Sequence, residues 1–227
     1  MKKTILFILA TVLLMPGQDF AEEKPGPWEQ IKKENGITVY RREIPGSSIV
    51  MFKGKGFAHS EMVYVLAVMS DVEKMPEWVE SLKKTRVIEK KSETNMVIHN
   101  IIGAPWPLQD RDSVSRGRVF VDKNNKWIHI RARNIKHPKA PAESGKVRIP
   151  FMRATWSFKP MKEGKDTWVE FQVQADPGGI IPAWAANMAS KNIPYKSIMN
   201  LRKRIKKGKF NPRFVEKYKS FSFEKGL

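Results

Sequence analysis

The feature that most limits the fold of this sequence is a long succession of alternating polar and apolar residues. In the segment Thr167–Ala175, for example, Val169 and Phe171 alternate with polar residues, which is typical of a strand with one buried face. Turn-forming sequences at 122–125 and 163–166 predict antiparallel hairpins. We predict strands at Thr85–Lys90, Met96–Ile102, Asp110–Val121, Lys126–Arg133, Gly145–Ile149, Ala154–Lys159 and Thr167–Ala175.

A single long amphipathic segment follows these strands, after the helix-breaking sequence at 176–179. Its apolar residues recur at helical spacings, and Pro194 predicts a kink within the helix. These apolar residues are Ile181, Trp184, Met188, Tyr195, Ile198, Leu201 and Ile205. Because the apolar face of a sheet must be covered, we predict an α+β fold in which a curved antiparallel sheet wraps around the C-terminal helix.

The region before these strands is predicted to be mixed. Apolar spacing and turn residues indicate a short helix at 28–33, then two strands, then two more helices. The strands are predicted at Gly36–Arg42 and Ser48–Lys55, and the helices at Ser60–Met69 and Val72–Val79.

The first residues predict a signal peptide. Lys2 and Lys3 precede an uncharged apolar run, Ile5–Met15, which is too short to cross a hydrocarbon core of about 30 Å as a helix. We predict cleavage after Ala21 and a periplasmic or secreted protein. The alternative interpretation is a buried N-terminal helix.

The composition restricts the chemistry. The chain has no cysteine, which excludes disulfides, thiolate metal sites and a cysteine nucleophile. The four histidines lack metal-ligand spacing and no catalytic motif frames them, so we predict no cofactor. The formal net charge of +19 suits nucleic acid or an anionic membrane, and the predicted export argues against nucleic acid.

Several short motifs, in their order and spacing, resemble a bacterial StAR-related lipid-transfer (START) domain. They are Trp28, Gly36–Arg42, Lys53-Gly54, Trp106-Pro107-Leu108, Asp110-Arg111-Asp112, 176–184, Pro194-Tyr195 and Asn200-Leu201-Arg202. The resemblance implies a helix-grip fold that encloses an elongated hydrophobic cavity for one lipid or sterol-like molecule. It also implies a carrier without catalytic residues, although cyclase-type enzymes of the wider superfamily share this architecture. We divide the chain into a signal peptide (1–21), a START-like domain (22–207) and a basic, aromatic tail (208–227).

Candidate ligand-binding residues lie on the predicted inner face of the sheet, at a strand end and on the last helix. Apolar side chains suit a lipid, and ordinary core packing is the alternative role of each. Arg111 either donates to a lipid headgroup or forms a structural ion pair. The candidates are Trp106, Arg111, Trp156, Phe171, Ile181, Trp184, Met188 and Asn192.

The end of the last predicted helix is strongly basic. Its charge exceeds what a helix terminus needs and predicts a docking surface for anionic phospholipid, formed by Arg202, Lys203, Arg204, Lys206, Lys207 and Lys209. The tail beyond it either joins this surface or folds back onto the domain. We predict a monomer that carries a lipid between membranes. The alternative is a cyclase-like enzyme or processing factor that acts on a hydrophobic metabolite.

Overall fold

The computed structural model describes residues 25–224 and Gly226. The predicted signal peptide therefore lies outside the described residues. No helix among the described residues is long and apolar enough to cross a membrane.

One large sheet forms most of the described structure, with helices on its inner face. The strands are β1 (Glu29–Glu34), β2 (Ile37–Ile44), β3 (Ser47–Phe57), β4 (Leu82–Ser92), β5 (Asn95–Ile102), β6 (Arg111–Asp122), β7 (Trp127–Asn134), β8 (Val147–Arg148), β9 (Phe151–Met161) and β10 (Asp166–Asp176). The α-helices are α1 (Met62–Ser70), α2 (Ala183–Ser190), α3 (Ile193–Lys206) and α4 (Pro212–Lys219), and short 3₁₀ helices span Val72–Glu77 and Lys162–Gly164.

The strand order is β1-β2-β3-β10-β9-β7-β6-β5-β4. Neighbours on this path are antiparallel, and the short β8 pairs with β6 in parallel. The two predicted hairpins are confirmed as β6–β7 and β9–β10. The early strand β3 pairs with the late strand β10, where Lys53 lies opposite Gln172. The predicted α+β fold, a curved antiparallel sheet with a C-terminal helix, is confirmed.

One predicted element is wrong. The segment at 28–33 was expected to be a helix, but Glu29–Glu34 is the edge strand β1, which pairs with β2. Pairing with an existing strand outweighs the weak helix preference of so short a segment.

The core lies between the inner face of the sheet and the helices α1 and α3. Ile128, Phe158 and Val169 of the sheet are fully buried, as are Ile198 and Leu201 of α3. These apolar side chains therefore close one end of the space between sheet and helices.

The predicted C-terminal helix is two helices rather than one kinked helix. α2 ends at Ser190 and α3 begins at Ile193. Pro194 lies in the first turn of α3, where its missing backbone N–H breaks no helical hydrogen bond. The predicted interruption is confirmed, and it falls just before Pro194.

The C-terminal tail folds back onto the domain. The rings of Tyr64 in α1 and Phe210 lie with centroids 4.9 Å apart, and the hydroxyl oxygens of Ser70 and Tyr218 are 2.6 Å apart. Phe221 and Phe223 also pack against the core. The folding-back alternative is therefore the one that the structure adopts.

The outer face of the sheet carries a buried charge network beneath the segment 135–146. The Asp112 carboxylate is fully buried and accepts hydrogen bonds from Arg148 Nε and Nη2 at 3.0 and 2.7 Å. His99 Nε2 lies 3.0 Å from the same carboxylate. Burial alone would raise the pKa of Asp112, but hydrogen bonds from Arg148 and His99 outweigh it and lower that pKa.

Candidate functional site

The inner face of the sheet is filled by large side chains at its closed end. The rings of Trp156 and Phe171 stack with centroids 4.2 Å apart, and Trp156 also stacks on Phe158 at 6.0 Å. These two of the four predicted ligand-binding aromatics therefore lie on the inner face, at the border of the closed core.

Next to these aromatics, the inner face carries a row of small residues. Gly117 of β6 lies opposite Ala132 of β7, and Ala132 lies opposite Ala154 of β9. All three are partly exposed although they face the side on which the helices lie. Small side chains on three adjacent strands leave room on this stretch of the inner face, since a Cβ atom at Gly117 would have only Met96 O within 4 Å, at 3.9 Å.

Beyond the small residues the inner face becomes polar. Ser113 and Ser115 of β6 are 2% and 1% exposed, and the register places them on the same face as Gly117. Neither hydroxyl has a hydrogen-bond partner among residues 25–224. These two hydroxyls are therefore buried polar groups whose hydrogen-bonding capacity the described residues leave unused.

The open end of this space is bordered by exposed apolar side chains, which we call the mouth. They lie in the β5–β6 connection, in the β10–α2 connection and on one face of α2. Their exposed fractions are 93% for Trp106, 92% for Ile180, 68% for Trp184 and 54% for Met188. Isolated exposed apolar residues are common, but a group of this size at the entrance to a site indicates contact with an apolar partner.

The sequence model of the START domain family matches residues 17–209. The chain belongs to the START domain family. Its sheet and C-terminal helices form the helix-grip arrangement that the resemblance implied.

Several relatives of this START domain are named as lipid-transfer proteins. The chain is 30% identical to the phosphatidylcholine transfer protein of Rattus norvegicus over 169 residues, which cover 73% of this chain and 77% of that protein. It is 27% identical to an uncharacterized protein of Pseudomonas aeruginosa over 200 residues, which cover 88% and 95%. A solved StAR-related lipid transfer protein from Xanthomonas axonopodis superimposes with a TM-score of 0.72 at 27% identity, covering 79% of this chain and 98% of that one.

Arg111 of this START domain lies at the mouth and is 6% exposed. Its guanidinium donates hydrogen bonds to the backbone carbonyl oxygens of Gln109 and Pro177. The neighbouring carboxylates bind other partners, because Asp110 pairs with Lys83 at 2.8 Å and Asp112 with Arg148. Arg111 thus links two mouth loops through backbone carbonyls instead of forming the predicted ion pair, and its contact with a lipid headgroup stays a prediction.

The other helical candidates are placed differently from one another. Trp184 and Met188 point outward at the mouth, whereas Ile181 and Asn192 are partly buried. Sequence reasoning missed Asn187, whose side chain accepts from Val50 N and donates to Ser48 O, both at 2.9 Å. These two bonds hold α2 against the start of β3.

Two of the six residues predicted to form the basic docking surface are occupied or buried in the structure. Arg202 donates to the backbone carbonyls of Phe57 and Asn35 at 2.7 Å, and burial lowers its pKa. Arg204 is 5% exposed and lies near Glu77. Arg202 therefore fastens α3 to the sheet and Arg204 is buried, which corrects their assignment to an exposed membrane-docking surface.

The remaining members of this basic surface are exposed, but they lie far from the mouth. Lys203, Lys206, Lys207 and Lys209 stand at or just beyond the end of α3. At 1.5 Å per residue, α3 alone separates them from α2 by about 20 Å. Their position at the closed end of the domain does not favour a role at the entrance.

The described residues also contain a polar pocket of about 430 Å³ on the outer side of the sheet. Lys84, Arg86 and His99 are among the residues that line it. Within residues 25–224 no group of three or more His, Asp or Glu side chains is arranged to hold a metal ion. The apolar inner space, rather than this pocket, is the candidate lipid site.

Proposed function

We propose that this START domain binds one lipid or sterol-like molecule on the inner face of its sheet and carries it between membranes. The observation that carries the proposal is the row Gly117, Ala132 and Ala154, which leaves open space between the closed aromatic core and the mouth. The family membership supports lipid binding in general.

The side chains around this space suit an amphipathic molecule. Trp156 and Phe171 offer apolar area at its inner end, where burial stabilises a hydrocarbon chain by about 25 cal/mol per Å². The unpaired hydroxyls of Ser113 and Ser115 lie toward the mouth. We infer that the apolar part of the ligand enters first and that its polar group stays near these serines.

Transfer requires that the mouth meet a membrane. Trp106 and Ile180 are almost fully exposed there, and burying them in a bilayer removes their apolar surface from water. With the predicted signal peptide at 1–21, we propose a periplasmic or secreted carrier that acts as a monomer without catalysis.

Filling the inner space should abolish ligand binding. Ala154→Phe places a ring among the small residues of the inner face, whereas Thr155→Phe places the same ring on the outer face. We expect the first variant to lose at least tenfold in lipid binding, and the second to match the wild type. Native mass spectrometry of protein purified from its own host, with lipid identification, measures the bound fraction, and melting temperatures confirm that both variants fold.

Two outcomes would contradict this proposal. Lipid bound equally by both variants would place the ligand elsewhere. A ligand recovered in chemically altered form after incubation would favour the alternative of a cyclase-like enzyme.

A further inference from the structure

Five arginines form a compact patch on the outer face of the sheet, which we call the arginine patch. Arg116 and Arg118 of β6 lie opposite Arg133 and Arg131 of β7, and Arg133 lies opposite Arg153 of β9. Neighbouring strands are about 4.8 Å apart and alternate residues about 7 Å apart. The five backbone positions therefore fall within an area of about 10 by 7 Å.

Few acidic groups balance this patch. Arg116 lies 3.8 Å from Glu89, and no other member has an ion pair among residues 25–224. Like charges placed directly opposite each other across strands destabilise a sheet. An anionic partner would offset this repulsion.

Aromatic rings lie beside two of the guanidinium groups, and Arg153 Nε also donates to Gln174 Oε1 at 2.8 Å. Arg131 lies 4.8 Å from the centroid of Phe120, and Arg153 lies 5.9 Å from that of Phe151. The two rings are 42% and 41% exposed. Because the arginines lie over these rings, the rings are poorly placed to stack on the bases of single-stranded nucleic acid.

The arginine patch adjoins the mouth. Arg133 is next to the last residue of β7, and Phe151 begins β9. The preceding Pro150 packs against Gly178, which is two residues from the exposed Ile180. Cationic side chains thus flank the apolar mouth on its outer side. An anionic bilayer is complementary to this arrangement, because its headgroups attract the cations and its hydrocarbon accepts the apolar side chains.

We propose that the arginine patch binds the phosphate groups of an anionic phospholipid bilayer and so orients the mouth toward it. Guanidinium groups suit this role because they donate paired hydrogen bonds to phosphate oxygens. The inference rests on the proposed function, since it assigns the electrostatic part of docking to the outer face instead of to the lysines at the end of α3.

The test compares two triple variants that remove the same charge. Arg131→Gln/Arg133→Gln/Arg153→Gln alters the patch, and Lys203→Gln/Lys206→Gln/Lys207→Gln alters the closed end. Sedimentation with phosphatidylcholine vesicles, with and without phosphatidylglycerol, measures the binding. One basic residue near an anionic surface contributes roughly fivefold, so the patch variant should lose on the order of 100-fold in binding to the anionic vesicles. The lysine variant should change little, and added salt should weaken wild-type binding.

Three results would overturn the inference. The lysine variant could lose as much binding as the patch variant, or the patch variant could bind anionic vesicles like the wild type. The third result is a patch variant that loses binding to a single-stranded DNA oligonucleotide but keeps vesicle binding, which would favour nucleic acid as the partner. Arg133→Gln alone provides a milder second variant with an expected loss of roughly fivefold.

Lipid occupancy separates this inference from the proposed function. We expect native mass spectrometry to find the same bound lipid in the wild type and in both triple variants. A wild type without bound lipid would contradict the proposed function, whereas the vesicle measurements would still decide the role of the patch.

Discussion

Lys53 shows how a single buried cation makes stability depend on pH. It lies on the outer face of β3 and is 7% exposed, with its Nζ atom 4.0 Å from the ring centroid of Trp28 and 5.5 Å from that of Tyr40. No carboxylate pairs with it among residues 25–224. Burial, followed by the nearby charge of Lys55, lowers the pKa of Lys53 to about 8.

The sign of the pH effect follows from this shift. Between about pH 8 and 10.5, the ordinary pKa of a lysine, the unfolded chain keeps the Lys53 proton that the folded chain has lost. The free energy of unfolding therefore gains about 1.4 kcal/mol per pH unit from this group. We expect Lys53→Met to be more stable than the wild type near pH 7 and to lack this gain.

Urea denaturation at several pH values from neutral to alkaline measures this difference. Lys84→Met is the matched control, because Lys84 is an exposed lysine of β4, at the far edge of the sheet. Equal pH slopes for the wild type and Lys53→Met would refute the assignment.

At the residue scale, the sequence predicts which face a side chain occupies but not what it contacts. Alternation correctly placed Trp156 and Phe171 on the inner face, although contact with a ligand stays a prediction. Arg111 and Arg202 each donate to a backbone carbonyl of a distant segment. Such partners come together only when the sheet closes, so no local pattern reveals them.

At the scale of elements, Gly54 controls how closely α3 approaches β3. A Cβ atom at this position would lie 2.9 Å from Pro194 Cβ and 3.2 Å from Ile198 Cδ1. We expect Gly54→Ala to displace α3 and to lower the free energy of unfolding by about 1–3 kcal/mol. Chemical denaturation measures this loss.

Gly117→Ala is the control for this substitution. It adds the same methyl group to a strand glycine, but its nearest neighbour, Met96 O, is 3.9 Å away. Its stability should stay within about 0.5 kcal/mol of the wild type. A Gly54→Ala variant as stable as Gly117→Ala would show that α3 has room to move.

The long strands and their hairpins were predictable because alternation and turn residues are local signals. The row of small residues was not, because Gly117, Ala132 and Ala154 become neighbours only through the register of three strands. The edge strand β1 was missed for a related reason, since its conformation depends on pairing with β2. Elements were therefore easier to predict than the space between them.

At the scale of the whole molecule, the C-terminal tail is part of the fold. Tyr218 and Phe210 pack against α1 and the core, and a buried large apolar side chain contributes about 1.5–3 kcal/mol. Truncation after Lys209 should therefore lower the free energy of unfolding by roughly 2–5 kcal/mol. Calorimetry or denaturant unfolding tests this expectation.

The double variant Arg213→Gln/Lys219→Gln is its control, because it removes two exposed charges of α4 and leaves the aromatic packing intact. We expect the melting temperature of this double variant to equal that of the full-length wild type. Equal stability of the truncated and full chains would mean that the tail packs without stabilising the domain.

The predicted boundary at 207 follows the basic segment in the sequence, whereas in the structure the aromatic residues beyond it pack against the domain. The charge that we propose for docking also lies in a different part of the molecule from the charge that the sequence indicated. The lysines at 203–209 form the densest run in the sequence, whereas the arginine patch is assembled from three strands and has no equivalent run.

The pairing of β3 with β10 has a consequence for the order of folding. Lys53 meets its partner Gln172 only after most of the chain has been synthesised. Closing so long a loop costs chain entropy before the contacts between β3 and β10 can form, so folding is slow. The edge of β3 stays exposed during this time. We expect the segment β1–β3 to join the sheet last, which keeps the nascent chain unfolded for an extended period.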